Sequence, residues 1–460
     1  MATETGRHGG LGVTSATALV VGSVIGTGIF GLPSALAAFG PISIVAFALV
    51  TLGAVALALV FGRLTQRIPG SGGPYLYARE AFGEFAGFLA AWSYWLTAWA
   101  GNAAIVVALT GYIEVFLNTG HDVMWSIAIA SGCLWLPVAI NLLGLRSMGG
   151  AQVVFTVLKV VPLVVIAVVG LLTFDVSKLG PFNASGTGVG TALASAGAVA
   201  LFAYLGIETA SVAAGRVRDP EVNVPRATVI GTVLCGGLYL LGTAAVFGAV
   251  TSADLRTSSA PYSDAAVVLF GGEWAGQVIA VSAVVSGLGC LVGWTFVVGE
   301  MPSVSAGDGL FPRFFAREHR GVPAVGIISS TVLATALMIL AYTSFERVFT
   351  TVVLLTVFTA VIPYLLSAAA QLSWLLTRRR TLSVRQLARD LTVSVLALAF
   401  SYWSMLGTGA EATYFGAFAL FLGVPLYLWT RATRSAVSAD PSATTPSRQA
   451  SAARRSEEHA

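Results

Sequence analysis

Three features stand out within the long uncharged stretches of this chain. Glu208 follows Gly206 in "FAYLGIETASVAAGRVRDPEVNVPRA", well before the basic loop downstream. Lys159 interrupts the apolar run "FTVLKVVPL". Gly26 and Gly28 flank Thr27 in "GSVIGTGIF", inside a long uncharged stretch. An acid or a base at membrane depth is costly and marks a functional site by default. Glycine costs roughly 1 kcal/mol against alanine in a helix interior, and non-helical backbone at that depth survives only where it is buried in protein or lines a cavity. These residues offer binding chemistry: unpaired N–H and C=O groups at a helix break, a hydroxyl, one carboxyl and one amine. The groups that catalysis needs are not placed for it. His8, His121, His319 and His459 all fall outside the apolar runs, and Cys133, Cys235 and Cys290 are scattered without metal-ligand spacing. No nucleophile–base pair lies at depth, and no phosphate-binding "GxxxxGK[ST]" occurs. No catalytic residue, metal or cofactor is therefore expected.

The elements that must position these residues follow from composition. Of the 460 residues 56% are hydrophobic and 10% charged, with mean hydropathy +0.84; a soluble domain carries about 25% charged residues. The chain reads as an all-α integral membrane protein. Apolar runs long enough to cross a bilayer recur: two within Gly9–Gly62, split by Gly40-Pro41, then Phe85–Ile113, Val123–Leu145, Ser147–Phe174, Leu179–Ile207, Ala227–Ala253, Trp274–Gly299, Gly321–Phe345, Val348–Thr377, Leu391–Ala410 and Ala412–Thr430, twelve in all. With the N-terminus inside, the inner loops and termini hold 21 basic residues, the outer loops hold Lys178, Arg256 and Arg347, and only Lys159 is left within a span. That bias predicts both termini in the cytoplasm, with the run Arg378–Arg380 serving as a topology signal. The polar start "MATETGRHGG" lacks a secretory h-region. Residues 435–460, rich in Ser, Ala, Thr and Pro, read as a disordered cytoplasmic tail after a 1–434 membrane domain.

Small residues also serve close helix packing, so the glycine triplet alone leaves both readings open. The second weak point, at Gly206 and Glu208, favours the break. One lies in the first span and the other in the sixth, and paired interruptions in two halves of a membrane protein point to a binding site at the repeat interface.

The chain resembles the amino acid–polyamine–organocation superfamily, most closely its arginine/agmatine antiporters of the basic amino acid/polyamine group. The stretches "GSVIGTGIFGLP", "PGSGGPYLYAREAFGEFAGF", "YWLTAWAGNAAIVV", "GIETASVAAGRVRDPEVNVPRAT", "GWTFVVG" with "DGLFPRFFA", and "PYL" at 363–365 carry the likeness. The resemblance implies a LeuT-like five-plus-five inverted repeat with helices 1 and 6 broken: repeat one at about 11–174, repeat two at about 190–377, and two extra C-terminal helices at about 391–430. It implies a multi-pass plasma-membrane transporter of amino acids and related amines, and it leaves a homodimer open. Backbone from Ser23, Val24, Ile25, Gly26, Thr27 and Gly28 would hold a substrate carboxylate at a half-helix N-terminus. Carbonyls near Phe202, Ala203 and Leu205 would accept from an ammonium. Thr97, Asn102 and Thr356 match positions about the substrate, and Trp294 matches a tryptophan on which a cationic group stacks. Tyr94 and Glu208 match residues linked to gating and proton sensing.

Three departures bear on substrate and coupling. Ser23 stands where the arginine exchangers carry Asn, Phe202 where they carry Trp, and Lys159 where they carry an apolar residue. Lysine there resembles proton-coupled members, in which it takes the place of a sodium ion. Trp294 as a packing residue, Asn102 as interhelical glue and Lys159 as a snorkelling side chain are the plainer alternatives. Two functions remain: exchange of basic amino acids or polyamines, and proton-coupled import of neutral or broad-range amino acids. A channel lacks a filter motif, and no nucleic-acid partner is expected.

Overall fold

The computed structural model describes residues 11–439 except 27, 69, 71, 119, 144–148, 320, 345–347 and 378–381. Thr27, Arg146, Arg320, Arg347, the run Arg378–Arg380 and the tail from 440 lie outside the described residues. Among those described, helices dominate and only isolated β-bridges occur, Leu11 with Val217 and His319 with Val322.

In chain order the helices are α1 (Val13–Val24), α2 (Gly28–Ala37), α3 (Ile42–Arg67), α4 (Pro74–Phe82), α5 (Glu84–Leu117), α6 (Val123–Leu142), α7 (Gly149–Leu172), α8 (Val189–Leu201) and α9 (Thr209–Val212). They continue as α10 (Pro220–Ala249), α11 (Ser252–Thr257), α12 (Pro261–Phe270), α13 (Glu273–Gly307), α14 (Ala324–Ser344), α15 (Val348–Thr377), α16 (Val384–Gly407), α17 (Gly409–Phe421) and α18 (Gly423–Ala439). Nine helical stretches among the described residues are long and apolar enough to span a bilayer, and the bent pair α1–α2 makes a tenth. This is a multi-pass membrane protein. The last helix runs through Ser435–Ala439, residues that the composition reads as tail.

Local chemistry sets the helix ends. Asp122 caps α6 by accepting from the Trp125 amide at 3.0 Å, and Ser383 with Gln386 forms a capping box at the start of α16. The interior is packed by rings and small residues. Phe30 stands edge-on to Tyr112 and Tyr262 at centroid distances of 5.6 and 5.3 Å. Close approaches such as Gly197 on Trp403 and Gly416 on Phe358 leave no room for a side chain. The centre of the bundle is built by α10 against α1, α3 and α7, and by α5 against α13 and α15. Even the central helices turn a face outward, with Leu52 of α3 and Leu234 of α10 exposed, as is Leu333 of α14, as a lipid-facing surface requires.

Candidate functional site

Both weak points in the sequence are breaks in the backbone. α1 ends at Val24; Ile25 turns to φ −77°, ψ 89°, and α2 departs at 46° to α1. α8 gives way to a short 3₁₀ turn at Phe202–Tyr204; Leu205 is extended and Gly206 adopts φ +105°. An L-residue rarely takes that conformation. The two breaks touch. A Cβ on Gly206 would lie 3.3 Å from the Ser23 carbonyl carbon, and one on Gly28 would lie 2.5 Å from the Phe202 ring. A Cβ on Gly26 would lie 2.6 Å from the Cys290 sulfur. The glycines bring chain to chain, so their lack of a side chain is a packing requirement as well as a helix weakness.

A cavity of about 30 Å³ lies between the breaks. It is lined by Ser23, Val24, Gly26 and Gly28 of the first break, Phe202, Ala203 and Leu205 of the second, Thr97 of α5 and Trp294 of α13, all expected from the sequence. That volume holds a water or two; a larger ligand enters only when the walls part. Phe202 closes one side, edge-on to Phe349 at 6.1 Å. Trp294 closes another: its indole N–H donates to the Ser23 carbonyl at 3.2 Å and its ring tilts against Tyr94 at 6.5 Å. The first turn of α2 opens beside the cavity, and helix N-termini carry free N–H groups and a positive dipole end.

The two ionisable residues flank the breaks. Lys159 of α7 is 2% exposed and donates to the Gly22 carbonyl at 3.2 Å, tying α7 to the last turn of α1. Glu208 is 1% exposed. Its Oε2 accepts from the Tyr364 hydroxyl at 2.8 Å and from the Gly206 amide at 3.3 Å. Thr209 completes the turn by donating to the Gly206 carbonyl at 2.7 Å. The Tyr94 hydroxyl faces the same carboxyl.

Some expected residues stand one layer back. Ile25 is 1% exposed and packs in the core. Asn102 is buried with its Oδ1 unpartnered, but its neighbour Gly101 lines the cavity. The Thr356 hydroxyl donates to the Val352 carbonyl at 2.8 Å, and its methyl would meet a Cβ on Gly101 at 3.5 Å. Thr27 lies outside the described residues. The cavity also uses Ile29, Ala98, Gly101, Ile105 and Cys290, which the sequence reading passed over. Helical spacing carries the missing signal: 98, 101 and 105 share a face of α5, and Cys290 precedes Trp294 by one turn.

Residues 11–432 match the family described as amino acid permease. The chain belongs to that family. Its membership places the permease in the amino acid–polyamine–organocation superfamily. The putrescine transporter PotE of Haemophilus influenzae is 32% identical over 425 residues, 91% of this chain and 96% of that protein. The cadaverine/lysine antiporter of Escherichia coli (strain K12) is 32% identical over 335 residues, 72% of this chain and 74% of that protein. The putrescine transporter PotE of the same strain is 30% identical over 423 residues, covering 91% and 95%. These relatives are transporters and antiporters, not enzymes, in keeping with the binding chemistry read from the residues.

Proposed function

We propose that this permease exchanges basic amino acids and polyamines by alternating access, with both termini in the cytoplasm. The contact of the Ser23 and Gly206 backbones at one cavity carries the reading: two broken helices meeting in a membrane interior offer N–H and C=O groups to a polar substrate. Ser23, Val24, Gly26, Thr27 and Gly28 would take a carboxylate where the substrate has one, and Phe202, Ala203 and Leu205 an ammonium. Trp294 would stack on the distal cation, with Thr97 beside it on the cavity wall, Asn102 and Thr356 behind Gly101, and Tyr94 and Glu208 coupling occupancy to gating. A stacked cation contributes about 0.5–2 kcal/mol. Putrescine, cadaverine and lysine, named in the relatives, join arginine and agmatine as substrates to test. Adding α7 and the broken pair α8–α9 to the ten spanning stretches gives twelve spans, the number that a five-plus-five repeat with two extra helices requires.

The test is uptake into proteoliposomes from a panel of diamines, basic and neutral amino acids, with and without internal substrate. Stimulation of diamine or basic amino acid uptake by internal substrate is expected; uptake confined to neutral amino acids overturns exchange of cations.

The bond from Lys159 to the Gly22 carbonyl supports a second reading, proton-coupled symport. An ammonium there braces α7 on the inner side of the first break. Losing its charge weakens the brace and frees α1 to swing. Lys159→Met is then expected to abolish uptake driven by a pH gradient while substrate exchange continues. Unchanged proton dependence in that variant removes Lys159 from coupling.

A further inference from the structure

The densest charge cluster of the described residues lies away from the cavity, where three helices reach the end of their apolar length. Arg67 is the last residue of α3, Trp374 stands in the last turn of α15, and Asp390 stands in the second turn of α16. The Arg67 Nη2 donates to Asp390 Oδ2 at 2.9 Å, Arg389 Nε donates to Asp390 Oδ1 at 3.1 Å, and Arg63 Nε lies 3.6 Å from the same oxygen. The Arg67 guanidinium lies 3.9 Å above the Trp374 ring. Asp390 attracts Arg67, and Arg63 and Arg389 repel it. Among the described residues Arg67 Nη1 is buried without a hydrogen-bond partner, on a side chain only 10% exposed.

Among the described residues three guanidiniums thus share one buried carboxylate, a surplus of two positive charges. Fastening α16 to α3 needs only one of them; each further arginine adds repulsion unless another anion is present. The outer edge of the cluster is open: the Arg63 side chain is 35% exposed and that of Arg389 55%. Apolar surface adjoins it on α16, where Leu391, Val395 and Leu396 are exposed. A basic pocket at a helix boundary with an apolar wall beside it suits an anionic lipid, phosphate on the arginines and acyl chains along the helix.

We propose that Arg63, Arg67 and Arg389 seat the headgroup phosphate of an anionic phospholipid, with its acyl chains lying along α16. Asp390 holds the arginines together between the helices, and Trp374 fixes the plane of the Arg67 guanidinium. A free phosphate ion offers the same oxygens but gains nothing from the apolar wall.

Native mass spectrometry of the full chain, released from detergent with equal phosphatidylglycerol and phosphatidylcholine, tests the assignment. Retention of phosphatidylglycerol about tenfold above phosphatidylcholine is expected, the scale of one charge-assisted contact of about 1.4 kcal/mol. Arg63→Gln with Arg389→Gln, which keeps the Arg67–Asp390 pair and most of each side-chain stem, is expected to bring the two lipids to parity. Arg313→Gln with Arg317→Gln, exposed arginines elsewhere, is expected to keep the preference. Parity in the wild-type chain, a preference that survives Arg63→Gln with Arg389→Gln, or equal loss in the control pair overturns the proposal. Loss of selectivity in excess sodium phosphate overturns the lipid and assigns the site to a free anion. Should the first pair of changes fail to fold, the melting temperature of the wild-type chain decides: a rise with phosphatidylglycerol that phosphatidylcholine matches also overturns it.

Discussion

Gly28 and Phe202 are a matched pair at the residue scale. The ring occupies the space that a Cβ on Gly28 would need, so each residue limits what the other can be. Gly28→Leu is expected to abolish substrate binding, measured by radioligand filtration, while the protein still elutes as a folded species. Gly28→Ala should weaken binding at least tenfold, about 1.4 kcal/mol, and Phe202→Ala in the same chain should recover part of that loss. Unchanged affinity in both Gly28 variants would mean that this break does not shape the site. Trp294 makes two kinds of contact that substitution can separate. Its N–H bonds the Ser23 carbonyl, whereas its face is the surface available to a cation. Trp294→Phe should keep the preference for diamines over neutral amino acids, and Trp294→Leu should reduce it by three- to tenfold. A uniform loss across substrates for Trp294→Leu would identify a packing residue instead.

At the scale of elements, the loop helices α11 and α12 carry a pH dependence that is separable from transport. Burial raises the Asp264 carboxyl above its usual 3.8, Glu273 and Asp254 add repulsion, and the Ser258 hydroxyl, which donates to it, offsets part of this. A carboxyl whose folded pKa is raised binds its proton more readily in the native state than in the unfolded one. Its ionisation therefore costs stability, which falls as pH rises from the unfolded value through the folded one. Asp264→Asn removes that cost. Its melting temperature should exceed that of the wild-type chain at pH 7, and the gap should close below about pH 4, near the unfolded carboxylate value. A gap that is constant with pH would mean that packing, not ionisation, sets the effect.

The scale of the whole molecule is that of orientation in the bilayer. Thr187 lies exposed before α8, and Val384, 84% exposed, opens α16. Twelve spans with inner termini put these positions on opposite faces of the membrane. In a background without Cys133, Cys235 and Cys290, a membrane-impermeant thiol reagent applied to intact cells should label Thr187→Cys and spare Val384→Cys. Labelling of both from outside, or of Val384→Cys alone, would overturn the topology. The same experiment bears on the arginine cluster, because anionic lipids concentrate in the cytoplasmic leaflet.

The amino-acid sequence alone determined that this is a helical membrane protein and where its helices are weak. A span must be apolar for about 20 residues, so an acid or a base within such a run, or a glycine break paired with a second one, stands out from its local surroundings, and Gly26, Gly28, Lys159, Gly206 and Glu208 were legible in this way. What faces the cavity was not. Thr97 and Trp294 line it, while Asn102 and Thr356 stand behind Gly101. On an α-helix adjacent residues point about 100° apart, and in a bundle packed on all sides both faces are apolar, so local pattern gives no preference between residue 101 and residue 102. Cys290 shows the same limit: in sequence it is one scattered thiol, and only the crossing of α13 over the first break sets its sulfur where a Gly26 side chain would be. Arg63, Arg67 and Arg389 likewise read as loop charges sorted by the bilayer. Their meeting on the buried Asp390 carboxylate depends on the ends of α3 and α15 lying beside the start of α16, which is decided by how whole helices pack.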